Sequence, residues 1–99
     1  MTMKYLTVDG MLSGTGVRDS VEGGYISPQD LGLPAALVER IEKWVSRYEE
    51  AHYAGFNDGM ENDLLDQEGV ALSKLLQQAL PEAKIEYFSN ARCVKLPLW

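Results

Sequence analysis

The spacing of apolar side chains in the middle of this chain leaves little freedom of fold. Leu37, Val38, Ile41, Trp44, Val45, Tyr48 and His52 recur at intervals of three and four, which a helix gathers onto one stripe. Glu39, Arg40, Glu42, Lys43, Arg47 and Glu49 fill the opposite face, and Glu39 with Lys43 makes a favourable i,i+4 pair. Pro34 opens this helix, since a first-turn proline gives up no hydrogen bond. Gly55 and Asn57-Asp58-Gly59 interrupt the pattern. A second stripe follows in Leu65, Leu72, Leu75, Leu76, Ala79 and Leu80, and Pro81 ends it. Its helix is expected to start near Asn62 or Asp63, which suit an N-cap. Gly69 inside it costs about 1 kcal/mol against Ala, which predicts the close approach of another backbone there.

Two one-sided helices need a common apolar surface to cover, and short strands supply it. Lys4-Tyr5-Leu6-Thr7-Val8 is β-branched and aromatic and ends at the turn signal Asp9-Gly10. Lys84-Ile85-Glu86-Tyr87-Phe88 alternates polar and apolar, as a half-buried strand does. Cys93-Val94-Lys95-Leu96 reads as an edge strand that Pro97 terminates. Tyr25-Ile26 reads as a short second strand, and Ser27-Pro28 opens a turn of helix that Gly32 closes. Residues 10–24 hold five of the nine glycines. They offer few core anchors, so an irregular, mobile loop is expected there. The 99 residues thus make a single domain, residues 1–99, of α+β class. It has a small two- to four-stranded sheet with two long amphipathic helices packed on one face. Whether Leu96-Pro97-Leu98-Trp99 packs on the core or projects as an apolar tail is left open.

Charge narrows the partners. Glu49, Glu50, Asp58, Glu61, Asp63, Asp66 and Glu68 fall between Tyr48 and Ser73 with no Lys or Arg among them, in a chain of net charge −6. A pI near 4.6 and scattered basic residues argue against direct nucleic-acid binding and against an anionic membrane surface. A basic protein is the natural complement. No apolar run approaches the roughly 20 residues of a membrane span. The opening residues show no secretory signal, and Cys93 is the single cysteine. The cytoplasm is the expected compartment.

No motif for chemistry is complete. Asp9-Gly10-Met11-Leu12-Ser13-Gly14-Thr15-Gly16 follows a strand, yet no Gly-Lys-Ser/Thr comes after it and the dinucleotide spacing puts Asp19 where a glycine belongs. A surface loop is the plainer account. The acidic stretch at Asn57–Asp63 fails as a calcium loop, because the sixth position from Asn57 is Asn62 rather than glycine. His52 and Cys93 are one of each kind; a semi-buried histidine and a buried structural cysteine are expected rather than a catalytic pair. No enzyme activity, cofactor or metal is assigned.

The run Leu65-Asp66-Gln67-Glu68-Gly69, the helix ending in Leu80-Pro81 and the segment Ile85-Glu86-Tyr87-Phe88-Ser89-Asn90-Ala91 resemble small bacterial immunity proteins. These come from polymorphic-toxin systems, including contact-dependent growth inhibition. The preceding Trp44-Val45-Ser46-Arg47-Tyr48-Glu49 helix is similar as well, so the resemblance spans residues 33–91. It has no counterpart for residues 10–24 and no catalytic residues to carry over. It implies a stoichiometric inhibitor of a cognate toxin, with a basic nuclease-like domain suiting the acidic surface. Glu49, Glu50, Asp58, Glu61, Asp63, Asp66 and Glu68 would form the contact, with Tyr53 or Phe56 as aromatic anchors. Two other readings share parts of this logic: an acidic nucleic-acid mimic of phage type that inhibits a host defence enzyme, and a small ligand-binding domain using the glycine-rich loop.

Overall fold

A computed structural model describes residues 4–98 of the chain. The expectations that touch Met1 to Met3 and Trp99 lie outside the described residues. Strands β1 (Tyr5–Asp9) and β2 (Val17–Asp19) form an antiparallel hairpin. A 3-10 turn, Pro28–Leu31, leads to helices α1 (Ala35–Tyr53) and α2 (Gly59–Ala79). Strands β3 (Lys84–Ser89) and β4 (Val94–Leu96) close the chain. The sheet runs β2-β1-β3-β4, and β1 and β3 are parallel, with Val8 beside Tyr87. Both helices therefore lie in the crossover between the two central strands, and the α+β arrangement is the one the sequence predicts.

The core forms between the helices and one side of the sheet. Leu6, Val8, Val17, Ile85 and Tyr87 from the strands meet Leu37, Ile41, Trp44, Tyr48 and Ala51 of α1 and Leu65, Leu72 and Leu76 of α2. The Trp44 indole N–H donates to the Leu65 carbonyl at 2.9 Å, fixing the two helices to each other. Leu96 and Leu98 pack against the edge of this core.

Four local expectations need correction. The segment at residues 10–24 holds β2, whose Val17 is fully buried, because three residues between glycines carry too little periodicity to read as a strand. Tyr25 makes only an isolated bridge to Arg18 rather than a strand. Helix α2 begins at Gly59, earlier than Asn62, because Asp58 takes the N-cap: its Oδ1 accepts from the Met60 and Glu61 amides at 3.1 Å each. Gly69 faces a ring, not a backbone. A Cβ there would lie 2.3 Å from Tyr87 Cε1, and one on Gly10 would lie 2.2 Å from Tyr48 Cγ.

Gly69→Ala is expected to destabilise the protein by about 1–3 kcal/mol through overpacking against Tyr87. Gly59→Ala meets open space in the first turn of α2 and is expected to be neutral or to stabilise by up to about 1 kcal/mol. Urea unfolding of the two variants against the parent measures both.

Candidate functional site

The acidic sector divides into layers once folded. Asp66 lies on the inner edge of α2, only 5% exposed. Its Oδ1 accepts from the Tyr87 hydroxyl at 2.7 Å and the Tyr48 hydroxyl at 3.4 Å. Its Oδ2 accepts from the Ser89 hydroxyl at 3.0 Å and lies 3.1 Å from Arg92 Nε. Tyr48 Oη in turn accepts from the Ala91 amide at 3.0 Å, and Ser89 Oγ from the Arg92 amide at 3.1 Å. This places Asp66 inside the molecule, as an internal acceptor with its carboxylate already engaged. Sequence reasoning missed the role because a carboxylate in an acidic run looks like its neighbours. A signal existed: Asp66, Gly69 and Ser73 follow the period of the buried stripe along its edge, and all three are buried.

Three further acids are tied to arginines. Glu61 pairs with Arg47 and Glu68 with Arg40, each at 2.9 Å. The two arginines are seven apart on α1 and the two glutamates seven apart on α2, so the antiparallel helices carry two matching rungs. Asp63 pairs with Arg92, which also roofs Asp66. Asp58 is the N-cap of α2. Glu49 and Glu50, on the last turns of α1, have no ion pair among the described residues.

The expected aromatic anchors differ in kind. Tyr53 closes α1 with 76% of its surface exposed. Phe56 is half-buried, its ring 4.7 Å from His52 and 5.9 Å from Tyr48. Its backbone is left-handed, φ 55°, directly after Gly55 at φ 71°, and its amide donates back to the Ala51 carbonyl at 2.9 Å. The pair caps α1 and reverses the chain into α2.

The remaining candidates resolve into structural roles. His52 Nε2 bonds the Gly10 carbonyl at 3.0 Å. Cys93 is exposed in the β3–β4 turn, where a buried structural cysteine was expected; with φ 57° the turn points it outward. In the glycine-rich loop the Gly10 and Met11 amides are taken by Asn90, whose Oδ1 accepts them at 3.1 and 3.0 Å once its amide faces them. Those donors are not free for a phosphate. Asp9, buried at the end of β1, accepts from the Tyr25 hydroxyl at 2.6 Å and lies 3.2 Å from Arg18 Nε. Among the described residues no three His, Cys, Asp or Glu gather to hold a metal ion. No described helix is long and apolar enough to cross a membrane.

Residues 7–90 match the family described as Serratia CdiI immunity protein-like. The chain belongs to that family. Membership gives it the part of a toxin inhibitor, an immunity protein of a contact-dependent growth-inhibition system, as the resemblance in residues 33–91 implies. The match also reaches across residues 10–24, for which that resemblance had no counterpart. A comparison with curated proteins finds no match.

Two measurements test the internal network of this immunity protein. Asp66→Ala leaves the buried Tyr87 and Tyr48 hydroxyls without their acceptor, while Arg92 keeps its pair with Asp63, so a loss of about 1–3 kcal/mol in urea unfolding is expected. Burial, the largest cause, pushes the Tyr25, Tyr48 and Tyr87 phenols above their ordinary value of 10, with the bonds from Tyr25 to Asp9 and from Tyr87 to Asp66 adding to it. A raised folded pKa means stability is full below pH 10 and falls as pH rises past it, because the unfolded chain releases protons that the folded one keeps. Absorbance near 295 nm is expected to show these three phenols ionising together with unfolding; their ionisation in a still-folded chain would contradict the network.

Proposed function

We propose that the chain binds its cognate toxin domain one-to-one in the cytoplasm and covers an essential surface of it. The toxin would be basic, nuclease-like, and met by the acidic end of the helix pair. One observation carries this reading: the fold neutralises or buries part of the acidic run and leaves Glu49 and Glu50 uncompensated beside exposed Tyr53. A toxin cation approaching them competes with no internal partner. An exposed aromatic next to free charge is the make-up of an interface hot spot.

In this reading Glu49, Glu50, Tyr53 and Asp58 form the centre of the contact. Phe56 supports them from below. Glu61, Asp63 and Glu68, already carrying arginines, form a rim whose charge acts at long range. Neither cofactor nor catalysis has a part in such blocking, and the charge that attracts the toxin repels nucleic acid.

The test mixes purified chain with the toxin domain encoded beside it, rendered inactive, in size exclusion and titration calorimetry. A 1:1 complex is expected, with the association rate falling at least tenfold between about 50 and 500 mM salt. Co-expression is expected to protect cells from the active toxin. Absence of a complex at both salt concentrations would overturn the reading.

A further inference from the structure

The hinge between α1 and α2 encloses a small cleft of about 230 Å³. That is below the roughly 300–1,000 Å³ of small-molecule sites, and it suits one inserted side chain. Ala51, Ala54 and Phe56 line it with apolar atoms, and Glu50, Asp58 and Glu61 bring carboxylates to it. We infer that this cleft receives a single arginine side chain of the toxin, with Glu50 and Asp58 as its acceptors. The inference rests on the toxin-inhibitor reading above and names its anchor.

Three observations support a guanidinium. The Glu50 carboxylate has no hydrogen bond or ion pair among the described residues. Asp58 spends Oδ1 on the α2 amides, and its Oδ2 has no partner among the described residues. Asn62, also in the lining, commits its Nδ2 to the Phe56 carbonyl at 3.0 Å, and its Oδ1 is shut off from solvent, so it adds no donor to the cleft. The cleft is thus rich in acceptors and short of donors. The cation of its own wall does not fill the deficit, because Arg47 is held by Glu61 at 2.9 Å. A planar, five-donor fork reaches two separated acceptors and lies against an aromatic ring, where the compact ammonium of lysine does neither as well. The left-handed Gly55-Phe56 pair and the Asp58 cap hold the walls in place before binding, which lowers the ordering cost of association.

Two variants remove charge without touching the fold. Glu50→Gln changes an exposed, unpartnered group, and Asp58→Asn keeps an N-cap residue of equal rank. Calorimetry with the inactive toxin domain is expected to show each weakening binding about tenfold. Glu22→Gln, which removes one charge from the β2 side of the molecule, is expected to stay within twofold. Independently of any toxin, ¹⁵N spectra of the free protein are titrated with N-acetyl-arginine amide and with its uncharged citrulline counterpart. Saturable shifts confined to residues 50–62, including the Asn62 side-chain amide, are expected with arginine alone. If both variants bind toxin as the parent does, the cleft is not the anchor while the inhibitor reading stands. If no toxin complex forms, the inhibitor reading falls and the spectra decide the cleft: no local shift, or an equal one with citrulline, overturns it.

Discussion

Taking a carboxylate out of water costs several kcal/mol unless donors surround it, so the burial of Asp66 dictates what stands at four other positions. Its donors are Tyr48 from α1, Tyr87 and Ser89 from β3, and Arg92 from the turn before β4. They come from separate segments, so none of these can shift without stranding the charge. The requirement spreads outward through the phenols. Tyr87 reaches the carboxylate only because Gly69 leaves room for its ring, and Tyr48 lies flat against Gly10 at the end of β1. One buried charge thus accounts for two tyrosines and two glycines. It also ties the crossover helices to both parallel strands.

The surface ion pairs have a different task. Exposed pairs contribute about 0–1 kcal/mol each, too little to hold α1 to α2 against the weight of Trp44, Leu65 and Leu72 in the core between them. Their seven-residue spacing on both helices instead selects one register, because sliding α2 by a turn opposes Arg40 and Arg47 to the wrong neighbours. The same rungs decide which acids remain free. Every acid opposite an arginine on α1 is compensated, and Glu49 and Glu50 lie beyond the last rung.

Most of the fold was legible because its elements are periodic. The α1 stripe predicted from Leu37 to His52 is the buried face, with Ala51 also inside and Val45 and His52 half-buried. The alternation of β3 places Ile85 and Tyr87 inside as its pattern requires. Legibility failed where structure rests on single residues. Val17 is one apolar side chain among glycines, and only its pairing with Val8 makes it core. Asn57-Asp58-Gly59 has the composition of a turn, yet Asp58 both ends the turn and starts the helix. The candidate site was legible as a charge and illegible as a geometry. Local sequence says nothing of which acid meets Tyr87 across the fold and which meets solvent.

The exposed end of the helix pair is rigid for the reason that the interior is. Phe56 adopts a left-handed backbone at a cost of roughly 1–3 kcal/mol for a non-glycine residue. It is kept there by its ring contacts to His52 and Tyr48. Tyr48 is held by Asp66, and His52 by the Gly10 carbonyl. The hinge that presents Glu50, Tyr53 and Asp58 is therefore braced through two rings to the buried carboxylate rather than left as a free loop. A binder whose charged groups are already fixed loses less entropy on association, and long-range attraction between a fixed acidic end and a basic partner raises the on-rate more than the affinity. On the function proposed above, an inhibitor that must reach a basic toxin before that toxin reaches its target gains most from that combination.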